Sequence, residues 1–348
     1  MSDGQALPSR ILVTGGAGFI GSNFVRRVLD RHDRVSVIVL DKLTYAGNRA
    51  NLRDVESDPR FTFVVGDISD AVLVDRLAAE TDAILNFAAE SHVDRSIEAP
   101  HGFIQTEVQG TLVLLEAARR HGHRRYLQIS TDEVYGDMPF GSASEEAPLR
   151  PGSPYSASKA GADLLVGAYH RTFALPTLIT RASNNFGPYQ HPEKLFPLFI
   201  TNAMDDAPLP LYGDGGQIRD WTYVEDHCDA LEIVLASGIA GGTYNVSAGN
   251  LMTNLDVTRR ILELLGKPMS LVRSITDRPG HDRRYSADSK KVRSLGWEPG
   301  HSFDLALSKT LDWYLAREDW WRPIKSGEFL EFYRRQYQER LSAGTVID

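Results

Sequence analysis

The stretch that decides the fold is Ile11-Leu12-Val13-Thr14-Gly15-Gly16-Ala17-Gly18-Phe19-Ile20-Gly21. A short apolar run leads into a Gly-x-x-Gly-x-x-Gly pattern, and a helical stretch, Phe19–Arg31, follows. In that setting the glycines permit a tight turn, close approach of backbone to a diphosphate, and close packing of helix on strand. The free N–H groups at the helix start then face the phosphate charge. Without the strand and the helix, the same glycines would read as a plain turn.

Working outward, Val35–Leu40, Phe61–Val65, Ala83–Phe87, Tyr126–Ile129 and Thr177–Thr180 repeat the short apolar run. These runs are continuous rather than alternating, as in strands covered on both faces. Helical stretches at Ala71–Ala79, Gly102–His121 and Tyr155–Phe173 lie between them. The order predicts an α/β fold of Rossmann type: a doubly wound parallel sheet with a smaller C-terminal α/β substrate-binding domain. The expected division is residues 1–184 for the dinucleotide and 185–348 for the substrate, with segments free to interleave. Beyond Asn184, Pro and Gly punctuate short elements, and a cleft between the halves is the expected ligand site. Trp313, Trp320 and Trp321 read as packing anchors.

The chain has 348 residues and net charge −8. That balance disfavours a general nucleic-acid binder. Cys228 is the only cysteine, so no intrachain disulfide forms, which suits a reducing cytoplasm. Met1–Arg10 is polar and lacks the apolar core of a signal peptide. No apolar run approaches the ~18 residues of a membrane span. The ten histidines show no metal-ligand spacing, so no metal is expected.

Asp41 closes the second strand, 20 residues beyond Gly21. A carboxylate there accepts hydrogen bonds from ribose hydroxyls and repels a 2′-phosphate, so NAD is the expected cofactor. Lys42 follows and would soften that repulsion. Asp67, after the third strand, is placed to reach the adenine or to serve a helix N-terminus. Downstream, Tyr155 and Lys159 stand four apart on one helix face. An ammonium there stabilises a phenolate, which lets the tyrosine take a hydroxyl proton during hydride transfer. Arg219 and Arg278 are candidates for a substrate diphosphate. Arg283 and Arg284 read as surface charge.

These motifs, with Ala88-Ala89-Glu90-Ser91-His92-Val93-Asp94, Ser130–Gly136, Gly187-Pro188-Tyr189, Pro192–Leu195 and Asp277–Asp282, resemble the extended short-chain dehydrogenase/reductases, and more narrowly the dTDP-glucose 4,6-dehydratases. The likeness covers nearly the whole chain. Its sharpest element is Asp132-Glu133, where related epimerases typically carry small residues. The resemblance implies a lyase acting on dTDP-glucose: Tyr155 and Lys159 serve C4 oxidation, Glu133 removes the C5 proton, Asp132 protonates the C6 hydroxyl, and Thr131 holds the C4 oxygen. It implies Ser91, Asn184, Lys194, Leu195, Pro210, Tyr212, Asn254 and His281 at the substrate, and Thr106 and Asn185 at the cofactor. Phe19, Ile20, Leu43, Thr44, Ile68, Phe87, Ala88, Ala89 and Ser91 complete the expected NAD site. By local sequence alone, Asp132 and Glu133 also suit a helix cap. An epimerase or decarboxylase on the same scaffold, and an NAD-binding protein without turnover, are the competing readings.

Family members often carry a late tyrosine near the phosphate. Here Phe329 falls at that place, with Tyr333 as the substitute. A homodimer is expected from apolar residues at helical spacing, Leu112, Leu115, Leu164 and Leu165, on two long helices.

Overall fold

The computed structural model describes residues 7–347, so part of the Met1–Arg10 segment lies outside the described residues. The first half runs β1 (Arg10–Thr14), α1 (Phe19–Arg31), β2 (Ser36–Asp41), β3 (Phe61–Val65), α2 (Ala71–Ala78) and β4 (Ala83–Asn86). It continues with α3 (Val93–Glu98), α4 (Pro100–Ile104), α5 (Thr111–His121), β5 (Arg125–Thr131), α6 (Pro154–Phe173) and β6 (Thr177–Ala182). Then come β7 (Asn184–Phe186), α7 (Leu195–Met204), β8 (Leu209–Tyr212), β9 (Ile218–Tyr223), α8 (Val224–Ser237) and β10 (Thr243–Val246).

Seven parallel strands form one sheet in the order β10-β6-β5-β4-β1-β2-β3. Strand order reverses between β1 and β4, and a crevice opens at their carboxyl ends, where such sheets bind ligands. The central residues are apolar on both faces. Ile11 and Val13 face one core cluster, and Leu12 and Leu40 face the other. This two-sided burial is why the strands read as continuous apolar runs.

The second half of the chain carries two three-stranded sheets. One has the order β11-β9-β7, with β11 at Leu251–Thr253. The other contains β8 and β12, the latter at Val272–Ile275. The division near residue 184 is crossed, because β10 pairs with β6 at the edge of the large sheet. That strand was not foreseen: Thr243-Tyr244-Asn245-Val246 alternates polar and apolar groups and lacks the apolar run of its neighbours.

Gly102–His121, expected as one helix, is α4 and α5 joined by a π-helical turn at Gln105–Gly110. At α6, Ser153 caps the helix in a reciprocal box with Ser156, and Pro154 fills the first position. That start fixes Tyr155 in the first turn and Lys159 one turn on. Leu115 is fully buried against the sheet and Leu165 packs there too, whereas Leu112 and Leu164 face outward.

Candidate active site

The glycine loop holds the shape its sequence implies. Gly15 has φ +67°, and a Cβ there would lie 2.5 Å from the Ala88 nitrogen. A Cβ on Gly21 would lie 2.5 Å from the Gly15 carbonyl oxygen. Gly18 ends the loop as the N-cap of α1 without a side-chain cap, so the positive end of the helix is open to a ligand.

Asp41 is 8% exposed. Its Oδ2 accepts from the Ala17 N–H at 2.9 Å, and its Oδ1 accepts from the Leu43 N–H at 2.8 Å. The carboxylate thus ties the glycine loop to the end of β2, and the residue lines the cleft. Burial pushes the Asp41 carboxyl up, and the two backbone donors oppose that shift. Lys42 is drawn to Asp67, Nζ to Oδ2 2.7 Å, which commits its charge. Asp67 lines the cleft, while the cap of α2 is Asp70.

The wall of this cleft carries Gly15, Gly18, Phe19, Ile20, Gly21, Asp41, Lys42, Thr44, Asp67, Ile68, Phe87, Ala88, Ala89, Ser91, Thr106, Asn185, Tyr155 and Lys159. Leu43 is the exception among the expected cofactor contacts. Its backbone N–H serves Asp41, its φ is +55°, and its side chain packs on the core. Cradle, open helix end and a carboxylate lining the cleft at the end of β2 together fit NAD.

A second cavity adjoins the cleft. It is lined by Ser91, Glu133, Asn184, Lys194, Leu195, Pro210, Tyr212, Arg219, Asn254, Arg278 and His281, all of them expected, and by Asp94, Glu193, Tyr285 and Tyr337, which sequence reasoning missed. Ser91, Glu133, Asn184 and Lys194 stand in both walls, so the two spaces meet there. The Lys194 ammonium donates to the Ser91 carbonyl.

Asp94 organises the far wall. It accepts from the Tyr212 hydroxyl at 3.0 Å, from Arg278 at 3.1 Å and from Gln336 at 3.1 Å. Arg219 is 5% exposed, donates to the Ile218 and Asp282 carbonyls, and stacks on Tyr285 with 4.2 Å to the ring centre. Arg283 is a surface residue paired with Asp214, and Arg284 ties down the carbonyls of Met138 and Gly141. The late aromatic in the wall is Tyr337; neither Phe329 nor Tyr333 lines the cavity. Tyr333 accepts instead from Asn202.

At the junction, β5 ends in Thr131, and a short 3₁₀ turn follows at Asp132–Tyr135. Thr131 caps that turn by accepting from the Glu133 N–H at 3.2 Å, so capping needs neither acid. Glu133 lines both cavities. Burial pushes its carboxyl up, while Arg278, Arg219 and Lys194 pull it down. Asp132 is 2% exposed, and its Oδ2 has no partner among the described residues. Burial raises the Asp132 carboxyl well above its ordinary value, and Glu133 and Asp220 add to the rise. Asp132 lies in neither wall; its contact toward the cleft is the Thr131 hydroxyl, at 3.5 Å.

Lys159 is 4% exposed, and its ammonium donates to the Ile129 carbonyl at 3.3 Å. Burial pushes the Tyr155 phenol well above its ordinary value, and Glu133, Glu107 and Asp132 push the same way. This direction is opposite to the expected lowering by Lys159. Burial, with the neighbouring carboxylates adding to it, sets that direction.

A sequence model of the family described as "GDP-mannose 4,6 dehydratase" matches residues 12–310. The low-salt glycan biosynthesis protein Agl12 of Haloferax volcanii is 54% identical, over 89% of this chain and 99% of its own. The dTDP-glucose 4,6-dehydratase of Streptomyces niveus is 50% identical, over 91% of this chain and 96% of its own. Among solved structures, the dTDP-glucose 4,6-dehydratase DesIV of Streptomyces venezuelae, determined with NAD and TYD bound, has a TM-score of 0.89 at 54% identity. It covers 91% of this chain and 100% of that one. A seven-stranded sheet of this order, Glu133 at the junction of the two cavities with Asp132 buried beside it, and likeness along nine-tenths of the chain converge, and the protein belongs to the GDP-mannose 4,6 dehydratase family, in its dTDP-glucose 4,6-dehydratase branch.

Proposed function

We propose that the protein converts dTDP-glucose to dTDP-4-keto-6-deoxyglucose and water. The observation that carries this reading is the acid pair beside the junction of the two cavities. Adjacent carboxyls resist joint ionisation, and environments that push them apart separate an acid from a base. Burial raises the Glu133 carboxyl, and three cationic side chains, Arg278, Arg219 and Lys194, oppose that rise. Burial raises the Asp132 carboxyl well above its ordinary value, Glu133 and Asp220 add to the rise against Arg219, and Asp132 is the member held toward the protonated form.

The Gly15–Gly21 loop, Asp41 and Lys159 would hold NAD in the cleft, where it would supply storage of the C4 hydride and its return to C6. Tyr155 takes the C4 hydroxyl proton as the C4 ketone forms. The ketone acidifies C5–H, and Glu133 removes that proton. Asp132 gives its proton to the departing C6 hydroxyl, which leaves as water. Glu133 then holds the proton that C5 regains. Thr131 holds the C4 oxygen, and Arg219 and Arg278 take the diphosphate with paired N–H groups. Residues 1–184 form the NAD half and 185–348 the nucleotide-sugar half, with α8 and β10 returning to the large sheet.

The enzyme works as a homodimer in the cytoplasm. Ile104, Leu112 and Leu164 are apolar side chains left exposed on α4, α5 and α6, which supports a helical face between protomers. One buried thiol, Cys228, suits a reducing compartment. Incubation with dTDP-glucose and, separately, UDP-glucose tests the assignment: a 4-keto-6-deoxy product from dTDP-glucose is expected. A 4-epimer in its place would favour the epimerase reading.

A further inference from the structure

Glu107 is a carboxylate with no exposed surface, in neither cavity wall and in none of the roles assigned above. Its Oε2 lies 3.0 Å from the Lys159 ammonium. Its Oε1 is buried without a partner among the described residues. A buried carboxylate is costly unless paired, so the contact with Lys159 is what offsets the burial of Glu107. The residue sits in the π-helical turn Gln105–Gly110. Such turns are rare and frequently mark functional sites, because the wider turn re-aims one side chain. Lys159 is approached from outside the cleft by Glu107 and from β5 by the Ile129 carbonyl, while the lysine itself lines the cofactor cleft.

We propose that Glu107 is a positioning residue for the oxidation step: it clamps the Lys159 ammonium and limits how much of that positive charge reaches Tyr155. The inference rests on the assignment of Tyr155 as the C4 base. The charged and titratable groups around the pair are few. Tyr155 faces Glu133, Glu107, Asp132 and Tyr45; Lys159 faces Glu107 and Asp163; Glu107 also faces Glu90; and Asp163 is bound to Arg181. Of these, Glu107 alone both contacts the lysine and lies outside the two cavity walls. Removing its charge leaves Lys159 uncompensated, which stabilises the phenolate. The Tyr155 midpoint then moves to lower pH.

The test uses the NAD-loaded protein with isotope-labelled tyrosine, the Tyr155 ring-carbon resonance being identified by its loss in Tyr155→Phe. Glu107→Gln should lower the Tyr155 midpoint by about one pH unit, the scale of a nearby charge. Glu107→Asp keeps the charge and should stay within a few tenths of the parent. If Glu107→Gln does not fold, Glu107→Asn should show the same lowering. An unchanged midpoint in the folded neutral variant, or no titration of Tyr155 in either protein, overturns the proposal. The acid limb of C4 oxidation, read as NADH formation in the Glu133→Gln background, should follow the resonance. A resonance that shifts while that oxidation limb stays put supports the Glu107–Lys159–Tyr155 coupling and overturns instead the assignment of Tyr155 as the base.

Discussion

Asp132 and Glu133 are neighbours in the chain, both raised by burial but unequally opposed: Glu133 and Asp220 add to the rise of Asp132 against Arg219, whereas Arg278, Arg219 and Lys194 all oppose the rise of Glu133. The pair should therefore give a bell-shaped pH profile whose limbs belong to the coupled dyad. Activity falls on the acid side as the base takes a proton and on the alkaline side as the acid loses one. Asp132→Asn should cut turnover about 10²–10⁴-fold and abolish the alkaline limb contributed by the acid. A variant that keeps both limbs at the parent rate would remove Asp132 from the reaction.

The same substitution should stabilise the fold. The folded-state pKa of Asp132 is raised above the unfolded value of about 3.9. The folded protein thus holds that proton more tightly than the unfolded chain does. Stability is lost as pH rises from the unfolded value through the folded one. Above that window Asp132→Asn avoids the loss, and its melting temperature should exceed the parent's by about 2 °C. A lower melting temperature at neutral pH would show that the Asp132 side chain is held by partners beyond those described.

The glycine cradle predicts how NAD is kept. Gly15→Ala puts a Cβ at φ +67° and 2.5 Å from the Ala88 nitrogen. A left-handed residue with a Cβ costs about 1–2 kcal/mol, and the collision adds to that. The parent should release nicotinamide on denaturation without any having been added, because the stored hydride must return to the same sugar. Gly15→Ala should purify largely without it. Equal nicotinamide in both proteins would contradict this account of the loop.

The outward-facing leucines separate packing from assembly. Leu164 is 61% exposed in the protomer, whereas Leu115 is fully buried. Leu164→Glu should leave the fold intact and halve the mass seen by light scattering. Leu115→Ala should cost about 2–5 kcal/mol of stability, as a core truncation does, without dissociating the dimer. A parent protein that scatters as a monomer at micromolar concentration would remove the dimer from the proposal.

Much of the molecule is legible in the chain because its elements are locally consistent. Six strands of the large sheet announce themselves as apolar runs, and Gly15, Gly18, Gly21 and Asp41 mark the expected cofactor crevice by their spacing between a strand and a helix. The seventh strand, Thr243–Val246, hides because an edge strand with polar groups lacks that run. Glu107 hides because helical spacing assumes an unbroken α-helix, and a π turn changes which residues face inward. Tyr337 is missed in favour of Phe329 and Tyr333 because all three recur on one C-terminal helical stretch, and only tertiary packing chooses among them. Asp94, which binds Tyr212, Arg278 and Gln336 at once, joins residues far apart in sequence. No local pattern reports such a hub.

The central claim, that Glu133 takes the C5 proton after Tyr155 has served C4 oxidation, is tested most directly by following NADH absorbance and keto-sugar product together in Glu133→Gln and Tyr155→Phe with dTDP-glucose. Glu133→Gln should accumulate NADH and form little 4-keto-6-deoxy product, while Tyr155→Phe should suppress the NADH signal. Both should lose about 10²–10⁴-fold in turnover. Wild-type turnover in Glu133→Gln would contradict the account and make the Asp132-Glu133 pair structural.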